Sequence, residues 1–220
     1  KHMAFGTAVH RALRDFATRH TESGVLPAAA YLPERFAVYL AREVLSPTEA
    51  ADSLAVGQEA LRAWWQQYQQ DFSGALARLP EYDFRSHGVA LGDLPLTGLI
   101  DNVAVIDATK KLAIVTDYKT GNPDNAYRHL KEGGDYRRQL TFYKLLAQRS
   151  PRFGYEIVRG EIDFIQPSKR TGKFVKKAFE ISDTDVAALE QQIKDVWTDI
   201  KALKFLDVEG CGECEYCQRF

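Results

Sequence analysis

The chain has 220 residues, 45% of them hydrophobic and 27% charged, with 29 Lys and Arg against 30 Asp and Glu for a net charge of −1. That supplies one sizeable core and excludes a disordered, repetitive or low-complexity chain. It also excludes a molecule-wide basic field, so any contact with nucleic acid has to be local.

Lys1, His2 and Met3 look like the remnant of an expression vector, so the domain is read from residue 4. Residues 4–80 read as a helical part, 81–206 as a sheet-containing core and 207–220 as a cysteine-containing tail. The first helix, 4–16, carries its apolar stripe on Phe5, Val9, Leu13 and Phe16, with His10 just beside it. On pattern alone His10 is a structural hydrogen-bonding residue. A loop over 24–31 leads to helices at 33–45 and 48–79. In the longer one Trp64, Trp65 and Tyr68 read as core packing rather than as a platform for stacked bases.

Strands are expected near 82–91, at 96–106 and at 112–119, then a helix at 136–147 and strands at 155–166 and 173–181 joined by a turn at 167–172. A closing helix over 183–205 has Val186, Leu189, Ile193, Val196, Trp197, Ile200 and Leu203 on its apolar face, with Ser182 or Asp183 as its cap. Helices, three strands, a helix and two strands suit an α/β fold with a central mixed sheet flanked by helices. No apolar run approaches the ~20 residues of a membrane span. The absence of a signal peptide and an odd thiol count fit a reducing, cytoplasmic setting.

The chemistry concentrates at the 96–119 hairpin. If its polar turn, 107–111, is centred near Thr109, Asp101 falls opposite Asp117, within a residue of slip. Side chains so placed lie about 4.5–5.5 Å apart at Cβ. Two carboxylates that close, among Leu, Ile and Val, repel each other, and a divalent cation resolves the conflict. Asp117 and Lys119 alternate onto one side of the strand while Tyr118 takes the other. A metal with an adjacent ammonium supplies the parts of phosphodiester hydrolysis. Taken singly, each residue has an ordinary reading: a strand-end carboxylate for Asp101, a chance spacing for Asp117 and Lys119. On the following helix Gln139 and Tyr143 are four apart and share a face.

In this order, Gly6-Thr7-x-x-His10, Gly98-Leu-Ile-Asp101, Asp117-Tyr-Lys119 and Gln139-x-x-x-Tyr143 resemble the RecB-type branch of the PD-(D/E)xK nucleases, a branch found in RecB and AddB, in nucleases fused to UvrD-like helicases and in CRISPR-associated adaptation nucleases. The resemblance runs from residue 4 to the C-terminus. It implies a restriction-endonuclease-like core and a Mg²⁺ or Mn²⁺ site held by His10, Asp101, Asp117 and the backbone carbonyl of Tyr118. Lys119 would be the catalytic lysine, with Gln139 and Tyr143 shaping the site and touching DNA. The expected activity is a single-strand DNA exonuclease working with a helicase in repair or recombination. The alternatives are an endonuclease on branched DNA and a non-catalytic DNA-binding or helicase-docking module.

Two departures stand out. Relatives carry another acidic residue on the strand before the hairpin, for which only Glu81 or Asp83 is at hand. Many also end in an iron–sulfur cluster. Here Cys211, Cys214 and Cys217 match only part of that pattern and lack a fourth cysteine, so no cluster is expected from these residues alone and one would need a ligand from a longer parent chain. For phosphate contacts, Arg128, Arg137 and Arg138, with His129 and Lys131, are the better placed basic group. Lys169, Arg170, Lys173, Lys176 and Lys177 form a second, and either group reads equally as a solvated face.

Overall fold

The computed structural model describes residues 1–204; the three cysteines lie outside them. Three helices come first: α1 (His2–Ser23), α2 (Tyr31–Leu40) and α3 (Pro47–Ser73). Helix α3 starts where Ser46 and Glu49 close a reciprocal capping box with Pro47 in the first turn. The strands are β1 (Ala77–Asp83), β2 (Ala90–Leu91), β3 (Leu94–Pro95), β4 (Leu99–Asp107), β5 (Leu112–Lys119), β6 (Glu156–Phe164) and β7 (Lys176–Phe179). Between β5 and β6 lie a 3₁₀ turn (Pro123–Asn125) and helices α4 (Tyr127–Leu130) and α5 (Asp135–Arg149), and α6 (Asp183–Lys201) closes the described chain.

Five strands form one mixed sheet in the order β1-β4-β5-β6-β7. All neighbours are antiparallel except β5 and β6, whose parallel pairing needs the crossover that α5 supplies. One face carries α1–α3 around Phe16, Phe36, Trp64, Tyr118 and Ile165; the other carries α5 and the start of α6 around Val103, Val115, Leu140, Leu146 and Ile162. Gly160 on β6 lets α5 sit close, because a Cβ there would stand 3.0 Å from Leu140. Trp64 and Trp65 are core, as their spacing predicts, and Trp64 Nε1 donates to Asp163 at 3.0 Å.

Three expectations are corrected. The third helix stops at Gly74 rather than at 79, because 77–83 pairs as β1 with β4 from Ala77–Val105 to Asp83–Leu99. The strand expected near 82–91 is instead the end of β1 followed by a two-stranded hairpin, the chain being turned by Gly88 and Gly92 at positive φ. Helix α6 is capped by Ser182 but buries only Val186; Val196 and Ile200 are 51% and 46% exposed, because only its first half reaches α5.

Candidate active site

The hairpin register sets the first pair. Asn102–Thr116 and Val103–Val115 are partners across β4 and β5, which brings Asp101 level with Asp117 at the next position, as the turn position predicts. Asp101 Oδ2 accepts the Tyr118 backbone N–H at 2.8 Å, locking the two strand ends together. Asp117 is 3% exposed and turned toward α5. Its Oδ1 accepts from Gln139 Nε2 at 2.6 Å and from the Tyr143 hydroxyl at 2.9 Å, so the i, i+4 pair meets the carboxylate side by side. Lys119 Nζ stands 2.7 Å from Asp117 Oδ2 and donates to Gln139 Oε1 at 2.8 Å.

Burial, with the nearby charge of Asp101, pushes the Asp117 carboxyl above the ordinary carboxylate value, against the pull of Lys119 and the Tyr143 hydroxyl. Asp117 Oδ2 is buried and makes no hydrogen bond; its one close partner is the Lys119 charge. The Tyr143 phenol is pushed up by burial and by the charges of Asp117 and Asp101, so it remains a donor.

From the opposite side α1 delivers His10, whose Nδ1 is 3.2 Å from Asp101 Oδ1. Burial disfavours its charged form, but the hydrogen bond and charge of Asp101, with the charge of Asp117, raise its pKa above the ordinary imidazole value. The motif glycine Gly6 lets the first turns of α1 abut the end of β5, since a Cβ there would lie 3.3 Å from Thr120 Oγ1. Among the described residues, no three His, Cys, Asp or Glu side chains form a ready-made metal cage. Two half-sites face each other instead: His10 with Asp101, and Asp117 with Lys119, Gln139 and Tyr143.

Glu81 stands between the Pro80–Asn102 and Tyr82–Ile100 pairs, level with Asp101 in register, with its backbone at φ 47°. Such a conformation costs a non-glycine residue roughly 1–2 kcal/mol. Its carboxylate is 3.1 Å from Arg14 Nη1, and Arg14 lies one turn along α1 from His10. Asp83 is exposed and accepts from the Arg85 backbone N–H, so of the two acidic residues on β1, Glu81 is the one at the site.

The basic groups separate. Arg138 is paired with Asp135 at 2.5 Å and Arg137 with Asp185 at 3.6 Å, whereas Arg128 is exposed with no ion pair among the described residues. In the second group Lys176 is no surface cation: it bridges Asp71 at 2.7 Å and Asp163 at 3.2 Å beneath Tyr68. Sequence reasoning gave Tyr136 no role, yet the Lys119 ammonium lies 4.5 Å from its ring centre. Its position three residues before Gln139, on the same side of α5, was the available signal.

A five-stranded mixed sheet flanked by helices, with a helical N-terminal part, is a restriction-endonuclease-like fold. The family model described as PD-(D/E)XK nuclease superfamily matches residues 1–219, and the chain belongs to that superfamily. Its members are nucleases that generally use divalent metals such as Mg²⁺. Among solved structures, the one titled "Crystal structure of SSO0001" is similar at 12% identity and a TM-score of 0.38, covering 88% of this chain and 74% of that one. A comparison with curated proteins gives no match. No helix of the described residues is long and apolar enough to cross a membrane.

Proposed function

We propose that the chain is a Mg²⁺- or Mn²⁺-dependent deoxyribonuclease domain of the RecB-type branch, acting on single-stranded ends beside a repair helicase. The observation that carries the nuclease chemistry is the convergence of His10, Asp101, Asp117, Lys119 and Gln139 from four elements on one end of the sheet. The branch, the strand preference and the helicase partner rest on the resemblance in motif order.

The donors fit a hard divalent cation. Asp101, Asp117 and the Tyr118 carbonyl offer oxygen, the Asp117 Oδ2 atom has a lone pair without a hydrogen bond, and His10 completes the set. A bound cation would polarise the phosphate and acidify a coordinated water. The residues themselves do the rest. Gln139 and Tyr143 fix the rotamer of Asp117, and Lys119 presents its ammonium where charge develops on the phosphorus oxygens. Glu81, level with Asp101 in strand register and paired through its carboxylate with Arg14, is a candidate for the further acidic group that relatives carry.

The test is end-labelled and circular single-stranded DNA with Mg²⁺, Mn²⁺ or EDTA, using wild type and Asp117→Ala. Metal-dependent cleavage of linear strands that disappears in Asp117→Ala, with an unchanged circular dichroism spectrum, is the expected result. Full residual activity in that variant overturns the assignment, and cleavage of circles replaces the exonuclease with an endonuclease.

A further inference from the structure

The ends of β5 and β6 open onto two adjoining cavities, of about 730 Å³ and 270 Å³, which share Val56, Gln166 and Lys169 and run along the first half of α3. In open α/β sheets ligands bind beyond the carboxyl ends of parallel strands. Here that end is also where Asp117 and Lys119 sit, and the groove wall begins at Thr120, the next residue. The Ile165 N–H donates to Lys119 O at 2.9 Å, fixing the turn that carries Gln166 and Lys169 to the end of the site strand.

We propose that this groove is the path of the single-stranded nucleic acid on its way to the site; the inference rests on the nuclease reading above. Its lining fits a sugar-phosphate chain better than a peptide or a lipid. The amides of Asn125 and Gln166 and the hydroxyl of Thr120 flank an apolar strip at Val56, and Lys169 supplies a cation. Two acidic side chains line the groove, Asp52 in the larger cavity and Glu59 in the smaller. Ser53 borders the groove, 3% exposed, and its buried hydroxyl makes no hydrogen bond within the protein. Tyr127, two residues beyond Asn125, is 79% exposed, an unpacked ring suited to stacking on a base.

The experiment measures fluorescence anisotropy of a labelled oligothymidylate in EDTA and in Ca²⁺, and hydrolysis of the same strand and of bis(p-nitrophenyl) phosphate in Mn²⁺. The variants are Val56→Glu and Lys169→Glu, both at exposed positions, with Ile200→Glu on α6 as a charge control. Groove variants should bind the strand about tenfold more weakly than the control. Their loss of hydrolysis should be larger on the strand than on the small ester, which needs no groove. Equal strand binding by Val56→Glu, Lys169→Glu and Ile200→Glu overturns the proposal, even if Asp117→Ala abolishes hydrolysis. If instead wild type hydrolyses neither substrate while the groove variants still lose the strand, the nuclease reading fails and the groove stands.

Discussion

Lys119 is held by an ion pair to Asp117 Oδ2, a hydrogen bond to Gln139 Oε1 and the face of the Tyr136 ring. An ammonium fixed that firmly, at 21% side-chain exposure, is preorganised rather than searching for its position. Lys119→Met is therefore expected to lower kcat by about 10²–10³-fold, with strand affinity nearly unchanged, as steady-state kinetics and anisotropy on one substrate will show. Tyr143→Phe keeps the buried ring and removes one donor from Asp117. It should lose about 1–2 kcal/mol of stability, read from the urea midpoint, and a smaller part of the activity, because Gln139 still holds the same oxygen. Strand alternation put Asp117 on one side with Lys119, and helical spacing put Gln139 on one face with Tyr143; that these pairs and His10 share a site came from the resemblance in motif order. Glu81 was visible only as a residue type. Its register level with Asp101 follows from pairing with a distant strand, and its left-handed backbone is announced by no local pattern.

Helix packing depends on one close approach. A Cβ at Gly57 of α3 would collide with the Phe36 ring of α2, itself fully buried. Gly57→Ala should cost about 1–3 kcal/mol by overpacking, outweighing the helix propensity it gains and lowering Tm by several degrees in a melt followed at 222 nm. The same scale explains which elements the sequence hid. Residues 75–79 include two Ala and two Leu that would extend α3, and only the pairing with β4, distant in sequence, makes strand from Ala77 onward. The hairpin, by contrast, needed only local information, a polar turn between two apolar runs, and its register at the site follows that turn. Helix α6 shows the limit of periodicity: the stripe predicts an apolar face correctly and says nothing about whether the fold covers it.

Across the molecule, the helical layer and the sheet are joined by a charged contact inside the core. Asp163 on β6 accepts from Trp64 of α3 and pairs with Lys176 of β7. Burial raises its pKa to about 6, against the lowering effects of Lys176 and Trp64. The ordinary value is 3.8, so between the two the folded chain keeps a proton that the unfolded chain has released. Stability contributed at this position then falls as pH rises from about 4 to about 6. Urea unfolding of wild type and Asp163→Asn across that range should show wild type losing ground to the variant with rising pH, and parallel curves would remove the effect from Asp163. The same long-range assembly governs the site at the end of the sheet. His10 comes from the first helix, Asp101 and Asp117 from the middle of the chain, and Gln139 and Tyr143 from the crossover helix that follows. During synthesis the carboxylates leave the ribosome before the amide and phenol that orient them. A chain that ends before α5 lacks the two side chains that hold Asp117 Oδ1, so the two halves of the site coexist only once the crossover helix is in place.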